Sequence, residues 1–122
     1  MRITQRARDW PPDTTRACRA LASACRAPAP RGEHVYHLYV IRSARRDALQ
    51  AFLKTRGVGA LVHYPVPVHI QPAYRGRLRG GDSLPETERA AREVLSLPMY
   101  PELTEAEVQA VIAWVRAFAE ER

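Results

Sequence analysis

The chain has 122 residues, 46% hydrophobic and 26% charged, with a formal net charge of +6 at pH 7. That length allows one domain at most, and the apolar and charged fractions are ordinary for a soluble protein. No apolar run is long enough to span a bilayer. The opening MRITQRARDW has basic residues with no apolar segment behind them, so it is not a secretory signal and the cytoplasm is expected.

The charge is unevenly placed. Residues 1–33 hold seven arginines against Asp9, Asp13 and Glu33, a net +4; residues 34–122 hold twelve basic and ten acidic groups, a net +2. The second stretch is close to balanced, so steering of nucleic acid by a strong overall field is not expected there. Residues 1–33 also carry Pro11-Pro12, scattered arginines, Cys18 and Cys25, and no clear apolar period. Two cysteines are too few for a disulfide framework, and without a nearby histidine they make no convincing metal pair.

From His34 the elements become clear. HVYHLYVIR (residues 34–42) is rich in β-branched and aromatic residues, with Val35, His37, Tyr39 and Ile41 on one face and Tyr36, Leu38 and Val40 on the other. Apolar groups on both faces predict a strand covered by helices on at least one side. Ser43 can cap a helix through Arg56 with Leu49, Phe52 and Leu53 as its buried stripe, closed by Gly57 and Gly59. Residues 60–63 read as a second strand. RGRLRGGDS (residues 75–83) reads as a mobile polar surface segment. Ser83 or Asp82 then leads into the helix LPETERAAREVL, with Pro85 in its first turn and Ala91, Val94 and Leu95 on its inner face. LPMYP (residues 97–101) is a short extended piece. Thr104 and Glu107 form a capping box for a last helix bearing Val108, Val111, Ile112, Val115 and Phe118 at helical spacing, with Trp114 off the stripe and free to meet another domain or subunit. The order is that of a small α/β layer, and its few strands suggest an accessory domain rather than a complete enzyme.

The stretch ALVHYPVPVHIQPAY (residues 60–74) stands apart. His63, Tyr64, His69 and Tyr74 are interleaved with Pro65, Pro67 and Pro72. Each proline removes a backbone donor, and each pushes the residue before it toward an extended conformation. The result should be a stiff extended loop presenting imidazoles and phenols, as ligand-facing loops on rigid scaffolds do. Three readings compete for the histidines. A metal site is the weakest, because no cysteine or acidic residue lies close in sequence. Hydrogen bonds that merely stabilise the loop come next. Hydrogen bonds to sugar hydroxyls and phosphate oxygens fit best. Elsewhere no serine or cysteine has a nucleophile context. Asp47 and Glu93 read as solvated helix residues, and so does Lys54, the chain's one lysine. Arg75, Arg77 and Arg79 could meet phosphate but read more simply as solvated.

The segments HVYHLYVIR, RRDALQAFLKTRGVGALVHYPVPVHIQPAY and LPETERAAREVLSLPMYPELTEAEVQAVI resemble, in order and separation, the C-terminal domain of the DegT/DnrJ/StrS-type sugar aminotransferases. HYPVPVHIQPAY and LSLPMYPELT are the most specific of them. The resemblance implies the small C-terminal domain of a fold-type I aminotransferase, a short, mostly antiparallel sheet with helices packed on it. It implies a homodimeric pyridoxal-phosphate (PLP) enzyme acting on nucleotide-linked keto-sugars, with neither nucleic acid nor membrane as partner. It also implies that His63, Tyr64 and His69 face substrate and that Tyr74 supports them. In that family a large N-terminal domain supplies the Schiff-base lysine, the acidic partner of the pyridine nitrogen and the phosphate-binding groups, and Lys54 does not match the lysine's context. PLP is therefore not expected to bind stably to this chain alone, and the chain is expected to be inactive by itself. The Val111, Ile112, Val115 and Phe118 stripe and the strand faces, evolved against a larger partner, should leave apolar surface exposed. A nucleotide-sugar-binding or subunit-interaction module is the alternative, and a small basic nucleic-acid binder a weaker third.

Residues 1–33 match that family poorly, and the genetic code offers a reason. Joining the last base of each codon to the first two of the next turns RDWPPDTTRACRA into RLAARYxAGLSG, which resembles the arginine- and alanine-rich helix that precedes the first strand in the family. The leucine and the first alanine are forced by the codons of Asp9, Trp10 and Pro11. A frameshift near Arg8, restored before Glu33, is the favoured expectation for this segment, and an ordinary divergent N-terminus, irregular or partly helical, is the alternative.

Overall fold

The computed structural model describes residues 37–79 and 83–121. The cysteines and the frame question of residues 1–33 lie outside them. The elements are β1 (Tyr39–Arg42), α1 (Arg46–Lys54), a 3₁₀ turn (Val68–Ile70), α2 (Pro85–Glu93), β2 (Val94–Leu97) and α3 (Glu105–Glu120). The class is α/β, as expected: an antiparallel two-stranded sheet with helices packed on it.

β1 and β2 pair Tyr39 with Leu97, Val40 with Ser96, Ile41 with Leu95 and Arg42 with Val94. Ile41 and Leu95 are fully buried while Val40 is exposed, so the face that carries Ile41 is the inner one. Of the strand expected over residues 34–42, residues 34–36 lie outside the described residues, and His37 and Leu38 precede β1. Leu38 lies outside the ladder, which ends at the Tyr39–Leu97 pair.

Ser43 does not cap α1. Its backbone N–H donates to the Glu93 carbonyl (2.9 Å), extending the sheet by one bond, and its hydroxyl accepts from the Arg45 N–H (3.2 Å). The helix starts three residues later, with Arg45 at the N-cap and no side-chain cap. Leu49 and Leu53 are fully buried, and Phe52 meets Phe118 edge-on at 5.3 Å between centroids. Gly57, at φ 76°, takes the left-handed conformation that ends the helix, and Val58 N–H returns to the Leu53 carbonyl.

The expected strand at residues 60–63 is instead a single bridge. Leu61 and Ser96 exchange both backbone bonds (3.0 and 2.8 Å) on the edge of β2 away from β1. Tyr64, at φ 57°, turns the chain off that edge and Pro65 follows it, so pairing cannot continue. Ser83 is not a cap for α2 either. The N-cap is Leu84, whose N–H donates to Glu88 Oε1 (3.1 Å), with Pro85 in the first turn as read. Val94 and Leu95, read as helical, open β2, because pairing with Arg42 and Ile41 draws them into the sheet. Glu93 is not solvated: its carboxylate accepts from Arg42 at 2.6 Å, half-buried on both sides.

α3 carries the capping box as read. Thr104 Oγ1 accepts from Glu107 N–H (3.3 Å), and Glu107 Oε2 accepts from Thr104 N–H (2.7 Å). Val108, Val111, Ile112, Val115 and Phe118 are buried in one core with Leu49, Leu53, Ile41 and Leu95. The α3 stripe is thus satisfied within the chain rather than left for a partner. Trp114 is half-covered by Arg56, whose guanidinium lies 4.9 Å from its ring and 3.3 Å from that of Phe52.

Candidate functional site

The proline-stiffened loop leaves the Leu61–Ser96 bridge and returns to the 3₁₀ turn. Its first side chain, His63, is half-buried and its Nδ1 lies 2.8 Å from Ser96 Oγ on β2. Tyr64 is 81% exposed, with its ring 6.5 Å from that of His63. The proline after Tyr64 favours extended backbone there, yet φ is 57°. For a bulky residue this conformation is an outlier costing about 1–3 kcal/mol, sustained where the surroundings over-determine it. Here the surroundings are anchors on either side, the Ser96 contacts before Tyr64 and the His69 contact after it.

His69 is placed differently from its neighbours. Its side chain is buried, and Nε2–H donates to Glu88 Oε1 on α2 at 3.1 Å. The carboxylate also accepts the Leu84 N–H. These bonds, His69 first and Leu84 second, hold the Glu88 carboxyl below the ordinary glutamate range. His69 therefore fastens the loop to α2, and its imidazole points into the protein rather than out of the loop. Gln71 Nε2 ties back to the Val66 carbonyl (3.1 Å), and Gln50 Nε2 on α1 reaches the Ala60 carbonyl (3.0 Å). Tyr74 lies half-exposed in the following turn, its N–H on the Gln71 carbonyl (2.9 Å). The structure thus brings His63 and Tyr64 together. Among the described residues, no hydrogen bond or ring contact joins them to His69 or Tyr74.

Two residues that hold this loop escape a reading of the loop alone. Glu88 is nineteen positions from His69, on another helix. Ser96 left a trace, as the lone polar residue inside the apolar run VLSL of β2. No group of three His, Cys, Asp or Glu side chains is gathered for a metal among the described residues. Arg75, Arg77 and Arg79 are exposed. Lys54 is exposed in the last turn of α1.

Comparison with known proteins adds a family. The model for the DegT/DnrJ/EryC1/StrS aminotransferase family matches residues 14–116. The chain is 48% identical, over 92 residues, to the dTDP-3-amino-3,4,6-trideoxy-alpha-D-glucose transaminase of Streptomyces venezuelae, covering 75% of this chain and 24% of that one. Over 85 residues it is 48% identical to a pleiotropic regulatory protein of Geobacillus stearothermophilus, covering 70% of this chain and 23% of that protein. Among solved structures it superposes on a DegT/DnrJ/EryC1/StrS aminotransferase from Brucella abortus with a TM-score of 0.76 and 30% identity, over 89% of this chain and 30% of that one. S. venezuelae DesV, solved in complex with a ketimine intermediate, gives 0.75 and 41% identity over the same shares. The chain spans about a quarter of the length of the curated relatives it matches. With the family model covering most of its length, the chain belongs to the DegT/DnrJ/EryC1/StrS aminotransferase family.

Proposed function

We propose that this chain is the C-terminal part of a PLP-dependent aminotransferase acting on nucleotide-linked keto-sugars, and that it forms one wall of the substrate site without catalysing transfer by itself. The observation that carries this is the doubly anchored loop: Ser96 holds His63 and Glu88 holds His69, while Tyr64 stands out from the loop between them. On this reading His63 and Tyr64 contact the nucleotide sugar, Tyr74 supports them, and buried His69 holds the wall from behind. Relatives named as transaminases of dTDP-linked and UDP-linked sugars support that substrate class. The whole protein is proposed to be a cytoplasmic homodimer.

The described residues do not fit PLP. Lys54 stands exposed on α1, and among the described residues no ion pair joins it to a carboxylate that could meet a pyridine nitrogen. No chemical step is therefore assigned to these residues. The segment before Glu33 is proposed to be written in a shifted frame, which its codons decide directly.

The test is a titration of the chain with dTDP-glucose, followed by amide shifts, beside incubation with PLP and gel filtration. Shifts clustered on residues 60–74 and no retained cofactor absorbance are expected. Retained absorbance or measurable amino transfer would overturn the claim of silence. Absence of any shift at His63 and Tyr64 would overturn the placement of the wall. The alternative, a binding module without catalysis, is favoured by apolar groups exposed around the loop, among them Leu61, Val66 and Val68. It predicts the same titration but also capture of a separate lysine-bearing subunit.

A further inference from the structure

We infer that Ser96 is a positioning residue for His63, fixing its imidazole as the Nε2–H tautomer so that the loop offers one N–H donor to an acceptor oxygen of its ligand. This rests on the reading of His63 as a ligand-facing residue. Ser96 is 5% exposed in β2, and its backbone N–H and carbonyl are both engaged by Leu61. Its hydroxyl has one polar contact among the described residues, His63 Nδ1 at 2.8 Å.

A hydroxyl carries one hydrogen and two lone pairs. If Nδ1–H donated to Oγ, the buried hydroxyl hydrogen would be left with no acceptor, the arrangement that folded interiors avoid. If the hydroxyl donates to Nδ1 instead, its hydrogen is satisfied, Nδ1 is the lone-pair nitrogen, and the proton of the neutral ring lies on Nε2. Nε2 meets no partner among the described residues, and the ring is only half-buried. The side chain therefore presents a donor. That suits a phosphate oxygen or a sugar carbonyl or ring oxygen. The opposite tautomer would present a lone pair, which suits a ligand hydroxyl hydrogen.

The experiment uses the 122-residue chain labelled with ¹⁵N-histidine in mildly alkaline buffer, read by long-range ¹H–¹⁵N correlation. The expected His63 pattern is widely split, with Nδ1 in the unprotonated range and Nε2 in the protonated range. In Ser96→Ala the two signals should move toward each other, as in a free imidazole that exchanges tautomers. Ser96→Thr, which keeps the hydroxyl on a strand position that tolerates β-branching, should restore the split. A wild-type spectrum with Nδ1 protonated overturns the inference whether or not Ser96→Ala folds. So does an unchanged split in a folded Ser96→Ala. Titration with dTDP and with dTDP-glucose then tests the donor's role. An Nε2 shift with both points to phosphate, and one with dTDP-glucose alone points to the sugar, each in support. No shift with either, beside an intact split, removes the ligand contact while leaving the tautomer in place, so the two failures are distinguishable.

Discussion

Replacing Leu95 by alanine should cost far more than the same change at Leu61, although both leucines sit on the ladder that β2 organises. Leu95 has no exposed surface and lies opposite Ile41, whereas Leu61 is 59% exposed. Burial of a leucine side chain contributes about 1.5–3 kcal/mol. The cavity left by Leu→Ala raises the loss to about 2–5 kcal/mol, more where the walls cannot collapse. Here they are held, since β2 is hydrogen-bonded to β1 on one edge and to Leu61 on the other. A loss near the middle of that range, about 3 kcal/mol, is a large part of the roughly 5–15 kcal/mol by which such domains are stable. It should lower Tm by about 12–24 °C, taking 4–8 °C per kcal/mol for a domain of this size. Leu61→Ala, which removes the same atoms from a largely hydrated position, should change stability by no more than about 0.5 kcal/mol. Paired thermal and urea melts measure both. Equal shifts for the two variants, or an unmoved midpoint for Leu95→Ala, would refute the assignment of Leu95 to the core.

Thr104→Ala should cost about 1 kcal/mol by removing the cap of α3, read as a lower urea midpoint. The Glu107 carboxyl is held below the ordinary value of 4.5 by the Thr104 N–H and then the Thr104 hydroxyl, and Glu88 by His69 and then the Leu84 N–H. Because both folded values are depressed, their contributions are present above that value and disappear as pH falls through the lowered ones. Glu107→Gln and Glu88→Gln should each flatten the acid limb of a stability–pH curve, and a limb as steep as that of the parent chain would contradict the linkage. Leu61, Tyr64, Val66 and Val68 expose apolar surface along one loop, so the chain should self-associate as its concentration rises. Sedimentation velocity should show Leu61→Ser shifting the population toward monomer; a parent chain monomeric at every concentration would remove the premise.

What was legible in the sequence was local. The α3 stripe and its capping box lie within one stretch, so period and spacing sufficed, and the stripe's burial needed only α1 and the sheet. The α2–β2 boundary was not legible. Val94 and Leu95 continue the helical period, and what ends it is pairing with Ile41 and Arg42, about fifty residues earlier. The same limit governs the loop. Its prolines announced stiffness and an exposed Tyr64, but the left-handed backbone of Tyr64 comes from anchors on β2 and α2. His69 looked like its neighbour His63 because both are histidines in one motif. Only the arrival of Glu88 from α2 separates a buried fastener from a half-open ring.

α2 passes into β2 with no residue between Glu93 and Val94, and Arg46 of α1 closes the junction by donating to the Ala91 and Val94 carbonyls (3.3 and 3.1 Å). A seam without slack restricts how the chain can change length. One residue inserted within α2 would turn everything beyond it by about 100° about the helix axis. It would also exchange the two faces of β2, carrying Leu95 outward and Ser96 into the core. Ser96 would then lose His63, and the loop its rear support. Among the described residues, the exposed turn 74–79 lies clear of that seam and can take an insertion without turning β2. That turn is where loop grafts or affinity tags can enter without disturbing the seam.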